Sequence, residues 1–202
     1  MNLVFVDFAP KMRLLWSLVA FILVVPFAPF ADAATSSKKW ERLTDCRYIP
    51  WEHADGDSFR AGCGAREYVF RLYYVDAPET RFTNPERVRE QRDYFGISLD
   101  DVLTAGNSAS ARLRYLLRGS FTVWTRWAGA AGRGTEPRYY ALVETVEGNV
   151  AEILLREGLA RTKGVFVNLP SGERSKSYVV RLGAFEADAK KQRKGAWLRS
   201  TQ

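Results

Sequence analysis

Apolar and polar residues alternate along several short stretches of this chain, and that period of two predicts strands. The first strand falls within Trp40 to Trp51, the second is Ser58 to Cys63, and the third is Glu67 to Val75. Phe121 to Trp127 and Tyr139 to Thr145 supply a fourth and a fifth. In the third stretch Val69, Arg71, Tyr73 and Val75 fall on one face and Phe70, Leu72 and Tyr74 on the other. Arg71 therefore shares a face with apolar neighbours, where a charge needs a counter-charge or a bound anion. Elsewhere the period changes to that of a helix. Helix is predicted from about Arg87 to Phe95. A second helix starts at Ser98 with Asp101 in a capping box and carries Val102, Ala105, Ala109, Leu113, Leu116 and Leu117 on one stripe. Gly106 weakens it by propensity. Val150 to Glu157 is a short helix that stops at Gly158. Ser175 to Lys194 is a basic helix with Val179, Leu182, Phe185 and Ala189 along one side, and Trp197 is expected to dock back on the strands.

Five short strands with interspersed helices predict a mainly β, α+β fold. The expected form is a five-stranded Greek-key barrel of the OB type with about three packed helices. The chain has 202 residues, so one such domain is expected once a targeting segment is set aside. Residues 1–33 read as a secretory signal. Lys11 and Arg13 precede an uncharged run from Leu14 to Ala31, and Ala31-Asp32-Ala33 gives a small-x-small site for cleavage after Ala33. Pro26 and Pro29 interrupt that run, which argues against a retained membrane anchor. Met12, just before Arg13, is an alternative start. Residues 34–44 are expected to be a flexible leader and 45–202 the folded domain, a secreted or periplasmic monomer.

Composition narrows the chemistry. Net charge is +7 with 13% aromatic residues, which suits a polyanion such as nucleic acid. The only histidine is His53. Multi-histidine metal sites and paired-histidine acid–base catalysis are thereby excluded, and His53 reads as an ordinary strand or turn residue. Cys46 and Cys63 flank the Asp55-Gly56-Asp57 turn. In an exported chain they are expected to form a disulfide, the alternative being two separate buried thiols.

Acidic and basic residues then gather at strand ends. Asp57 follows a glycine at the mouth of the second strand, Arg71 lies inside the third, and Asp76 and Glu79 stand at its exit beside Pro78. A Gly-rich stretch from Gly129 to Pro137 leads to Arg138 at the head of the fifth strand. The combination Asp-Gly-Asp-Ser, Arg-Leu-x-x-x-Asp-Ala-Pro-Glu-Thr, an arginine entering a strand, and Gly158-Leu159-Ala160 resembles the staphylococcal (thermonuclease-like) nuclease family. The resemblance runs from about residue 45 to Trp197. It implies that Asp57 and Asp76, with the Ala77 carbonyl, bind one Ca²⁺ in preference to Mg²⁺ or Mn²⁺. It implies Arg71, Glu79 and Arg138 as the catalytic residues. It implies DNA and RNA as substrates, cut with little sequence preference to leave 3′-phosphates. The alternative is a non-catalytic OB-fold module that only binds nucleic acid.

The residue chemistry agrees. Two guanidiniums suit the charge that develops on a phosphodiester, oxygen donors suit a hard cation, and a carboxylate can take a proton from water. Phe166, Lys163 and Arg133 are further candidates for substrate contact. Two departures from the family pattern stand out. Thr135-Glu136-Pro137 precedes Arg138, where Glu136 is expected to repel phosphate, and Gly164 offers no ring for stacking.

Overall fold

The computed structural model describes residues 39–131 and 136–201. Three strands, β1 (Glu41–Ile49), β2 (Ser58–Cys63) and β3 (Arg66–Leu72), form an antiparallel meander. β1 also pairs with β5 (Phe121–Gly129), and β5 pairs with β6 (Arg138–Thr145), both antiparallel. β6 then closes onto β3 in parallel, so five strands complete a ring. A parallel closure needs a long crossover, and the helical segments between β3 and β5 supply it. The expected OB-type barrel is therefore present. Residues 41–44, assigned above to the leader, are strand instead. Glu41, Arg42 and Leu43 pair with Thr125, Trp124 and Val123.

The barrel is filled by alternate residues of its strands. Phe59, Phe70 and Phe121 meet with ring centroids 5.8 and 6.0 Å from Phe59. Val123, Ala141 and Val143 complete the layer. Cys46 and Cys63, on neighbouring β1 and β2, are joined by a disulfide, with their Cα atoms 4.3 Å apart.

The third strand is shorter than its alternation suggests. Pairing stops at Leu72, and Tyr74 turns into the left-handed region with φ 72°. Tyr73 and Tyr74 are both fully buried, so the two faces no longer differ in polarity and the period carries no information past Leu72. A bulky residue in this conformation is strained by roughly 1–2 kcal/mol. Packing offsets it: the Tyr74 ring meets Tyr178 edge-on at 4.7 Å, and its hydroxyl donates to the Val167 carbonyl. Beyond the kink, β4 (Val75–Asp76) pairs with β8 (Arg161–Thr162) as a separate two-stranded sheet. A further short strand, β7 (Gly148–Asn149), turns back on β6.

Among the described residues four α-helices pack where about three were expected: α1 (Pro85–Phe95), α2 (Leu99–Leu116), α3 (Val150–Arg156) and α4 (Ser175–Lys191). Pro85 stands in the first turn of α1, where its missing N–H costs nothing. Ser98 caps α2, its Oγ accepting from Asp101 N–H at 3.1 Å. The α2 stripe divides. Ala109, Leu113 and Leu116 lie on the barrel, whereas Val102 and Ala105 join a second core with Val88 and Phe95 of α1. Trp197 enters that second core, its ring tilted 60° against Phe95 with centroids 4.7 Å apart. It thus docks on the helices rather than the barrel, because α1 offers the aromatic surface that the strands have already used among themselves.

Candidate active site

Strand register brings the chemistry together. On β3, Arg71 lies opposite Ser58 of β2 and beside Tyr140 of β6, while Arg138 pairs with Val69. Arg71, the Asp57–Ser58 turn and Arg138 thus meet at one mouth of the barrel. The turn is held by Asp55, whose Oδ1 accepts from the N–H groups of Asp57 (2.9 Å) and Ser58 (2.7 Å). Burial, and then the charge of Asp57, push the Asp55 carboxyl up to about 8. Gly56 is required between them, because a Cβ there would stand 2.5 Å from the Ala77 Cβ and 2.6 Å from that of Ala109.

Asp57 and Asp76 are only 1% and 2% exposed, so both must be compensated within the protein. Asp57 Oδ2 accepts from Ala77 N–H and from Arg71 Nη2, each at 3.0 Å, and its Oδ1 accepts from Ser58 Oγ at 2.9 Å. Asp76 Oδ1 accepts from the same Arg71 nitrogen at 3.0 Å and from Arg87 Nη2. Its Oδ2 accepts from Arg161 Nε at 2.9 Å. Burial raises the Asp76 carboxyl, but Arg87, Arg161 and Arg71 outweigh it and hold the group below its ordinary value. Asp57, foremost, holds Arg71 above its own.

Glu79 lies half-buried after the Pro78 exit and accepts from Arg87 Nε. Gln91 of α1, fully buried, straddles the same loop. Its Oε1 accepts from Glu79 N–H at 2.8 Å and its Nε2 donates to the Ala77 carbonyl at 2.9 Å. Arg138 donates through Nη1 to Ser58 Oγ at 3.1 Å and through Nη2 to the Ala131 carbonyl. Its buried Nε has no hydrogen-bond partner among the described residues. Burial and then Arg71 pull this guanidinium below its ordinary value, so an anion placed there relieves both strains.

The oxygen donors fit a hard cation. Asp57 Oδ2 and Asp76 Oδ1 converge on one positively charged nitrogen at 3.0 Å each, and the Ala77 carbonyl lies on the adjoining loop. Among the described residues no group of three or more His, Cys, Asp or Glu side chains could hold a metal ion. A cation there relies on two carboxylates and a carbonyl, a set suited to Ca²⁺ when water completes the shell.

The weaker candidates divide. Phe166 stacks on Tyr74 with centroids 5.4 Å apart and keeps an exposed face. Lys163 is tied to Glu90 at 3.1 Å. Arg133 and residues 1–33, read above as a secretory signal, lie outside the described residues. Glu136 is paired with Arg60 at 2.5 Å, which offsets the repulsion expected of it. His53 sits in a turn with Nε2 3.0 Å from Glu52. Four residues of the cluster escaped sequence reasoning: Arg87, Glu90, Gln91 and Arg161. The first three recur at helical spacing on α1, so their shared face was legible. The destination of that face was not. Arg161 follows Gly158-Leu159-Ala160 directly and is almost wholly buried, with Nη1 2.7 Å from Glu90.

Carboxylates and guanidiniums gathered at the mouth of an OB-type barrel define a nuclease-like or nucleic-acid-binding barrel. Residues 69–199 match the family described as staphylococcal nuclease homologue, and the chain belongs to that family. The Asp55–Ser58 turn lies ahead of the matched residues and is tied to them by the Ser58–Arg71 pairing. No curated protein gives a significant match.

Proposed function

We propose that the protein is an exported Ca²⁺-dependent nuclease that hydrolyses phosphodiester bonds of DNA and RNA with low sequence specificity. The observation that carries this reading is the convergence of Asp57 and Asp76 on one point beside Glu79, with Arg138 holding an unpartnered donor nearby. Arg71 and Arg138 clamp the nonbridging oxygens, whose negative charge grows as the water oxygen attacks phosphorus. Glu79 receives the proton of that water, and the Gln91 bond to its backbone keeps the carboxylate in position. Asp57, Asp76 and the Ala77 carbonyl would hold Ca²⁺, which would supply further neutralisation of the phosphate charge. The P–O5′ bond breaks as the water oxygen bonds to phosphorus, so the 5′-oxygen leaves as a hydroxyl and the phosphate stays on the 3′-oxygen.

The Cys46–Cys63 bridge supports export, since disulfides persist in oxidising compartments. The mature protein is expected to begin at Ala34. An exported product whose intact mass still includes residues 1–33 contradicts that.

A second reading has its own support. Both Asp76 oxygens are already engaged by arginines, as in a module that binds nucleic acid without cutting it. The two separate in one experiment. Purified protein and Glu79→Gln are incubated with plasmid DNA and with RNA, in calcium or in chelator. The nuclease degrades both substrates only with calcium, and Glu79→Gln slows it by about 10²–10⁴-fold. Intact substrate in every lane leaves only the binding module. Equal cleavage by the variant removes Glu79 as the base.

A further inference from the structure

Seven ion pairs link four carboxylates, Asp57, Asp76, Glu79 and Glu90, to four cations, Arg71, Arg87, Arg161 and Lys163. The cluster is neutral without any added ion. A doubly charged cation inserted beside Asp57 and Asp76 leaves two uncompensated positive charges unless a resident cation withdraws or an anion enters.

The residents are unequally free to withdraw. The Arg161 side chain is 1% exposed and holds the far oxygen of Asp76. Arg71, 15% exposed, has one nitrogen where Asp57 and Asp76 converge and turns to the phosphate in the function proposed above. Arg87, 30% exposed on the surface helix α1, is the guanidinium on Asp76 that this function leaves without a task. Arg87 also spans the very groups that cation and water need. Its Nη2 is on Asp76 and its Nε is on Glu79. Lys163 is more exposed still, but its partner is Glu90, which is no ligand.

We infer that Arg87 is a built-in competitor for the divalent cation. It holds Asp76 and Glu79 until the cation arrives, then gives them up and meets the substrate phosphate. This rests on the cation site proposed above. Its consequence is coupling: cation and polyanion bind better together than apart, because the phosphate restores the neutrality that the cation removes.

The test is calcium titration by calorimetry on the purified, disulfide-bonded protein and on Arg87→Gln and Arg87→Lys, with melting curves to show that each variant is folded. Without nucleic acid, Arg87→Gln is expected to bind Ca²⁺ about tenfold more tightly than the parent, within the usual range of coupling between sites. Arg87→Lys is expected to fall between, since an ammonium lacks the planar fork that spans two carboxylates. In cleavage assays at saturating calcium, Arg87→Gln raises KM. Equal or weaker calcium binding by a folded Arg87→Gln overturns the competitor while leaving the cation site standing. Absence of calcium binding in parent and variant alike overturns both, and an unchanged KM removes the phosphate contact.

Discussion

Asp76 shows how much one position depends on its neighbours. Its carboxylate is buried, yet three guanidiniums keep it ionised. Gln91 fastens the loop beyond it with two hydrogen bonds, so Ala77 and Glu79 are placed by a side chain twelve or more residues away. Glu90 is the outward member of this network. Hydrogen bonds from Arg161, foremost, hold its carboxyl below the ordinary 4.5. A group held low stabilises the fold fully above its ordinary value and loses that contribution as pH falls through the lower folded value. Glu90→Gln is therefore expected to melt below the parent at pH 7. The gap should close as pH falls below 4.5, and thermal denaturation across pH reads it. A constant gap would contradict the ionic account.

At the level of elements, α1 and α2 explain a glycine that propensity disfavours. Gly106 sits inside α2, where alanine is favoured by about 1 kcal/mol. A Cβ at that position would overlap the Glu79 carbonyl group and the Pro78 carbonyl oxygen. Gly106→Ala is expected to lower both the melting temperature and the rate of the proposed hydrolysis, against the direction of helix propensity. A more stable variant of unchanged rate would show that the loop yields freely. α4 acts from the opposite side. Buried Glu186 accepts from Thr162 N–H at 2.7 Å and from Tyr94 hydroxyl at 2.5 Å, joining α4 to β8 and α1. The sheet of β4 and β8 that carries Asp76 and Arg161 is thus clamped by two helices.

Across the whole molecule, a closed ring of five strands carries a second, helical core at one side. The ring has no free edge among its strands, and the disulfide pins β1 to β2 at the end of the hairpin remote from the turn that carries Asp57. Cys46 and Cys63 are separated by 17 positions, and closing such a loop stabilises by about 3 kcal/mol in the chain-entropy view. Urea denaturation with and without reductant is expected to differ by roughly that amount. A difference near zero would mean that the barrel alone fixes the two strands.

Alternation and helical spacing were enough to read the five barrel strands, the helices and the OB-type barrel from the sequence, but not the two-residue strands β4, β7 and β8. They are local properties, set by which face each residue turns to the core. The candidate site residues Asp57, Arg71, Asp76, Glu79 and Arg138 could be named from the sequence, because their types and spacing match a family pattern, and the fold places them around one mouth of the barrel. The kink at Tyr74 was not legible, since burial on both faces erases alternation. Nor was the role of Arg87, Gln91 and Arg161. Each is an ordinary polar residue on its own element and becomes part of the site only because α1 and β8 are folded against Asp76. Register and packing decide that, and they depend on residues eleven to eighty-five positions apart.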